Sequence, residues 1–391
     1  MIELRGKRNS AIVYAKKIDN ATKTQIASLL REEAYSDSKI RIMPDTHSGK
    51  NVAVGTTLTL SRRVNPALVG VDVGCGMEAV ILNETEVDLK QLDEIIHTCI
   101  PCGAKIHSAP VCEFNLSELY CKDSVNIDRA LGSLGTLGGG NHFIELDKSD
   151  NGELFLVIHS GSRQLGSDVA KYYQEQAYRY QCKKLNKRAK QAHRGYDDEY
   201  GCKAEKRERK SEIKLKYEEA VLEGDLFANY LHDIAIVTAF ADFNRRTIAE
   251  IICQKAGFTV KDRFSCVHNY IDTEHMILRK GAISARLHER VIIPLNMRDG
   301  AIIGRGLGNP DWNYSAPHGA GRACNRTEAK FAFTVEEFKR QMEGIYTTTA
   351  EIGSLDECPM AYKPPQAILS QIGDTVEIEQ IVKPIYNFKS C

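Results

Sequence analysis

The chain has 391 residues, 42% of them hydrophobic and 27% charged, and its 52 basic and 52 acidic side chains cancel to zero net charge. This composition excludes a disordered tail and a protein coated in basic surface, but it leaves room for a local basic channel, because nucleic-acid footprints are patches. Twelve cysteines without regular spacing exclude a disulfide scaffold. Met1–Asn9 is polar and basic with no apolar segment behind it, and no apolar run approaches the ~20 residues of a membrane span. The expectation is therefore a chain without a signal peptide, working in a reducing cytoplasm.

From Lys39 to Leu82 short apolar stretches alternate with glycines, and Asn51–Leu60 and Ala67–Val73 have strand composition and length. Asp88–His97 reads as a short helix. The only CxxC, Cys99-Ile100-Pro101-Cys102, follows an apolar helix end and contains a turn-forming proline, so it reads as a loop rather than a zinc or redox motif. A glycine-dense connector at 131–146 leads into the strand-like run Leu154–Ile158. Asp168–Ala192 and Ala204–Ala220 then read as charged helices, and Leu226–Gln254 as a longer, more apolar one ending before Gly257. Fourteen Lys or Arg against six Asp or Glu lie between Arg179 and Lys216. That excess fits either solvated helices laced with i,i+4 pairs or a phosphate-facing surface. A mixed pattern resumes at 264–308, followed by a helix near Val335–Gly344 and a strand at Thr375–Lys389. The expected architecture is one α+β domain over 1–391, with a helical, partly basic insertion at 168–256.

Several residues suited to chemistry lie among glycines or at strand edges. Asp72 and Cys75 in "VDVGCGM", His142 in "GGGNHFIEL", His159 in "FLVIHSGSR" and His268 in "SCVHNYI" offer carboxylate, thiolate and imidazole donors, a set suited to zinc, manganese or iron. No spacing among them is diagnostic, and each alone reads equally well as a satisfied polar or small buried residue. "SGSR" adds hydroxyls and Arg163. In "NYSAPHGAGR", His318 is followed by Gly319, Ala320, Gly321 and Arg322. The glycines either mark a turn or leave room for a planar group beside the imidazole, and Arg322 offers a fork for a phosphate. Neither a P-loop nor a dinucleotide fingerprint is present.

Taken in order, "MPDTHSGK", "VGVDVGCGM", "GGGNHFIEL", "HSGSRQLG", "IIPLNMRDG", "SAPHGAGR" and "DECPMAYK" resemble the RtcB family of RNA-splicing ligases from about Met43 to Lys389. The resemblance implies mixed sheets around a central metal cleft and two Mn²⁺ on Asp72, Cys75, His142, His159 and His268. Cys75 would bridge; Asp72 and His142 would complete one ion, and His159 and His268 the other. It further implies a guanylylated His318, nucleotide contacts at Asn141, Glu145, Gly319, Ala320 and Gly321, and Lys389 reading guanine. Arg163 and Arg322 would contact phosphate or RNA. The implied activity is GTP-dependent joining of RNA 3′-phosphate or 2′,3′-cyclic phosphate ends to 5′-hydroxyl ends, through histidine–GMP and RNA–ppG, in tRNA splicing or RNA repair. The partners are RNA, no membrane, and in some paralogues a release-factor-linked protein.

This chain departs from the family's common "MPDVHLGKG" at Thr46, Ser48 and Asn51, and it ends in Lys389-Ser390-Cys391 instead of lysine-glycine. These departures fit a divergent paralogue acting on cleaved RNA. Two other readings stand beside ligation: a metal-dependent cyclic phosphoesterase, which needs the metal residues but not His318, and a non-catalytic RNA-binding protein.

Overall fold

The computed structural model describes residues 1–197 and 215–389, the side chains of 188–197 excepted. Much of the basic stretch anticipated at 179–216 lies outside the described residues, as do Ser390 and Cys391. The fold is mixed α+β with several sheets. In the largest, strands Val260–Val267, Gly76–Leu82, Leu154–Ser160, Phe143–Lys148, Val376–Lys389, Gly300–Gly306 and Arg290–Asn296 follow one another in space. Every neighbouring pair is antiparallel. Leu154–Ser160 is buried at every position, as expected of a central strand covered on both faces. Ile144, Leu156 and Ile158 meet Leu92 and Ile96 of helix Leu89–Cys99 and Ile248 and Ile252 of helix Asp225–Ala256.

A second sheet runs in the order Ile2–Arg5, Ser10–Val13, Ile40–His47, Val54–Thr59, Ile277–Lys280 and Asn269–Asp272. Its Ile40, Leu58 and Leu278 share a core with Leu165, Val169 and Tyr173 of helix Arg163–Asp197, and with Tyr230, Ile234 and Val237 of helix Asp225–Ala256. The helical stretch therefore packs into the body of the protein along its apolar stripes. No helix among the described residues is long and apolar enough to cross a membrane.

Several elements fall close to their sequence-based positions. Asp88 caps helix Leu89–Cys99 by accepting from the Lys90 and Gln91 amides, and Gly257, at φ 73°, ends the long helix. Ala67–Val73 is not a strand: Asn65 caps a short helix, Pro66–Val69, with proline in its first turn, and Gly70 at φ 85° stops it. Over the described part of Ala204–Ala220, the expected helix is replaced by a single 3₁₀ turn, Tyr217–Glu219.

Candidate active site

The register of the large sheet collects the site. Val267 pairs with Gly76, Gly76 with Ser160 and Met77 with His159, Phe143 with His159, and Lys389 with Phe143. Consecutive strands thus bring His268, Cys75, His159, His142 and Lys389 to one end of one sheet, although they are far apart in sequence. The His268 amide donates to Cys75 O (2.9 Å), fixing that corner.

Cys75 Sγ lies 3.5 Å from His142 Nε2 and 3.3 Å from His159 Nε2. The ligand atoms of these three buried residues all fall within 4.8 Å of one another and can hold a metal ion. Asp72 Oδ2 is 3.6 Å from His142 Nε2, and His268 Nε2 is 3.4 Å from His159 Nε2. All the residues expected as ligands therefore converge, Asp72 beside His142 and His268 beside His159, with the thiol near both inner histidines. Their donor set is consistent with metal binding. His142 Nδ1 meets Leu137 O (2.8 Å) and His159 Nδ1 meets Asn141 O (3.1 Å), which places the proton on Nδ1 and turns the Nε2 lone pairs toward the sulfur.

The local electrostatics suit the same purpose. Burial, with neighbouring imidazoles, keeps His159 and His268 neutral at pH values where a free histidine would charge. Enclosure works against charge on Asp72, yet His142 holds its carboxyl well below the usual range. Burial and then Asp72 push the Cys75 thiol up, so a divalent cation is what would draw off its proton. The packing around Asp72 leaves no room for a side chain at position 161, where a Cβ would collide with Asp72 Oδ1.

Asp72, Cys75, His159 and His268 open into a cleft of about 1160 Å³ that also carries His318, Asn141, Glu145, Gly319, Ala320, Gly321, Arg322 and Lys389. The His318 ring stands 4.9 Å, centroid to centroid, from that of His268. Its Nδ1 lies 2.6 Å from Asp45 Oδ2, and its backbone amide donates to the same oxygen at 3.2 Å. With the proton on Nδ1, the Nε2 lone pair is available. Gly321 sits at φ 74° against the Asp45 backbone, where any Cβ would clash. The glycine therefore seats the histidine on its carboxylate. On the far wall, Glu145 accepts from Asn387 Nδ2 (2.6 Å). Burial pushes its carboxyl up to about 7 against the opposing pull of Lys389. Lys389 Nζ lies 3.5 Å from Glu357 and over the Phe143 ring.

Both arginines expected at phosphate are engaged within the protein. Arg163 donates to Thr136 Oγ1 (3.0 Å) and Gly103 O (2.6 Å). Arg322 lies on the cleft wall but bonds Glu357 (3.0 Å) and the Asp356 carbonyl and covers the Tyr362 ring. Of the departures, Ser48 lines the cleft, buried Thr46 donates to Val54 O (2.7 Å), and exposed Asn51 donates to Ala67 O (3.3 Å).

Sequence reasoning assigned no role to Asp45 or to Lys280. Lys280 Nζ lies in the cleft, held by Val69 O at 2.9 Å. Asn244 and Arg245, on helix Asp225–Ala256, were also missed. Asn244 binds Gly135 N, Thr136 N, Thr136 O, Ser160 Oγ and Gly161 O. Arg245 donates to Gly74 O (2.8 Å) and Ser160 O (3.0 Å). The pair holds the loops next to Cys75, His142 and His159. No local signal marks them, since they stand in the mixed run Asp242-Phe243-Asn244-Arg245-Arg246-Thr247.

Fold and site together define an α+β protein whose cleft joins a Cys/His cluster able to hold a metal to a carboxylate-bound histidine. The family profile described as tRNA-splicing ligase RtcB matches residues 33–126 and 113–390. The RNA-splicing ligase RtcB of Escherichia coli K12 is 32% identical over 381 residues, covering 87% of each chain. The tRNA-splicing ligase RtcB of Aeropyrum pernix is 25% identical over 482 residues, covering 96% of this chain and 93% of its own. The chain belongs to the RtcB family and is an enzyme, a ligase.

Proposed function

We propose that the enzyme is a GTP- and Mn²⁺-dependent RNA ligase. It would join 3′-phosphate or 2′,3′-cyclic phosphate ends to 5′-hydroxyl ends in tRNA processing or RNA repair in the cytoplasm. The observation that carries this reading is His318, its Nδ1 on Asp45 and its Nε2 free, facing the cleft beside His268. Asp72, Cys75, His142, His159 and His268 would hold two Mn²⁺, which supply charge neutralisation at phosphoryl oxygens. Asp45 fixes the tautomer in which His318 Nε2 attacks the α-phosphorus of GTP and expels pyrophosphate. An oxygen of the RNA 3′-phosphate then attacks the same phosphorus, freeing His318 and forming RNA–ppG. Finally the 5′-hydroxyl attacks the RNA phosphorus and expels GMP. Cyclic ends are first opened by water to the 3′-phosphate. Lys389 can donate to guanine O6, where adenine presents a donor; Asn141, Glu145 and the Gly319–Gly321 turn complete the nucleotide contacts. Arg322, on the cleft wall, and Arg163, outside it, would support the phosphate site through the loops they hold.

Incubation with labelled GTP and Mn²⁺ should yield a covalent GMP adduct on His318. His318→Ala should abolish the adduct and the joining of 3′-phosphate RNA, yet still seal a pre-activated RNA–ppG end. Wild-type enzyme that opens cyclic phosphates but forms neither adduct nor joined product would overturn ligation in favour of phosphoesterase activity.

A further inference from the structure

Beside the nucleotide cleft lies a second pocket of about 420 Å³ that shares Leu295, Asn296 and Tyr362 with it as a common wall. Its volume falls within the ~300–1,000 Å³ of small-ligand sites. Its lining is mixed in character: Pro359, Met360, Leu369 and Ile381 are apolar, and Lys363 and Lys383 are basic. Both lysines are held by neutral oxygens: Lys363 Nζ donates to Thr46 O (2.9 Å) and Lys383 Nζ to Asp299 O (3.3 Å). Arg298 also lines the pocket but is matched by the Asp299 carboxylate at 3.0 Å. The pocket thus offers apolar lining beside three cations, Arg298, Lys363 and Lys383, against the single lining carboxylate of Asp299, which also acts on Lys383, while Asp45 and Asp19 act on Lys363 from outside the pocket. Those are the features with which proteins hold a base and its flanking phosphates in single-stranded nucleic acid.

We propose that this pocket seats a nucleotide of the RNA strand adjoining the reacting end, its base against Met360 and Ile381 and its phosphate at Lys363 and Lys383. The inference rests on the ligase reading for the identity of the strand. The strand would pass from the metal cluster over the Tyr362 wall, so the enzyme would grip RNA beyond the terminal phosphate without requiring a particular base.

Lys383 is exposed and lies outside the cleft that carries His318, which makes it the residue to vary. Lys383→Glu should raise the KM for a 3′-phosphate oligoribonucleotide on the order of tenfold and flatten the salt dependence of RNA binding by ~0.7 per lost phosphate contact. Formation of the His318 adduct from GTP should be unchanged, and Lys383→Arg should restore the wild-type KM. An oligoribonucleotide carrying 4-thiouridine next to its 3′ end should cross-link within 359–369. Wild-type-like KM and salt slope in Lys383→Glu, or cross-links confined to other segments, would overturn the subsite. A wild-type enzyme that shows the Lys383-dependent binding and cross-link but never joins ends would retain the subsite and overturn the ligase reading.

Discussion

Arg245→Met tests whether the metal cluster is built from behind. The guanidinium is fully buried and donates to Gly74 O, Ser160 O, Asp242 Oδ1 (2.9 Å) and Ser265 Oγ (3.2 Å). Methionine fills similar space without a donor. Each of the two orphaned carbonyls costs about 1–3 kcal/mol. The Asp242 side chain is 47% exposed, so it rehydrates and its ion pair adds no more than about 1 kcal/mol. The expected loss is about 2–7 kcal/mol. Unfolding entropy for a chain of this length is about 0.8 kcal/mol per kelvin, giving a fall in Tm of about 2.5–9 °C if unfolding is cooperative. The same carbonyls flank Cys75 and His159, so Mn²⁺ affinity should drop about 10–100-fold, the usual effect of losing a support to a ligand. Thermal unfolding of the metal-free protein and calorimetric titration with Mn²⁺ separate the two effects. A Tm within 1 °C of wild type would refute the energetic reasoning, and unchanged Mn²⁺ affinity would refute the link to the ligands.

Cys75→Ala should empty or badly weaken the metal site; elemental analysis showing two tightly held ions would remove the bridging role. Reversing Lys183 and Lys187 to glutamate should weaken RNA binding and make its salt slope shallower by ~0.7 per lost phosphate, with His318 guanylylation retained; an unchanged slope would mark that helix as merely solvated. Glu145 is held near 7 in the folded protein, above its ordinary value of 4.5, so its contribution to stability is complete below about 4.5 and is lost as pH rises through 7. Glu145→Gln should therefore reduce the fall in urea midpoint between pH 5 and pH 8, and an identical pH dependence in both proteins would contradict this.

What could be read from the sequence follows from how local each signal is. Leu154–Ser160 stands out because a short apolar run has few other fates, Val376–Lys389 because it is rich in Val, Ile, Tyr and Phe interspersed with polar residues, and Leu89–Cys99 because Asp88 caps it. Ala67–Val73 misleads because apolar content resembles a strand while Asn65-Pro66 specifies a helix start. The metal ligands were legible as residue types beside glycines, and the ordered motifs supplied their grouping. Their convergence was not legible, because it depends on strand order in the sheet. Asp45 lies within a strand, and Arg245 looks like an ordinary helical charge. Each acquires its role only through a partner more than 170 residues away, as with Asp45 and His318, 273 residues apart, or Arg245 and Gly74, 171 apart.

The collection of ligands at one sheet end also sets what this chain can tolerate. Gaps of 67, 84 and 109 residues separate Cys75 from His142, Cys75 from His159, and His159 from His268. Connector length is therefore almost unconstrained: lengthening a loop costs little closure entropy, and the stretch between His159 and His268 already accommodates long helices. Strand register is constrained severely. A slip of one residue between Gly76–Leu82 and Leu154–Ser160 would displace Cys75 from His159 by ~3.3 Å and turn alternate side chains to the opposite face. Over evolutionary time, relatives of this enzyme are free to grow between their strands, while a residue inserted beside Cys75 or His159, in the unbroken pairing of Gly76–Leu82 with Leu154–Ser160, would dismantle the centre.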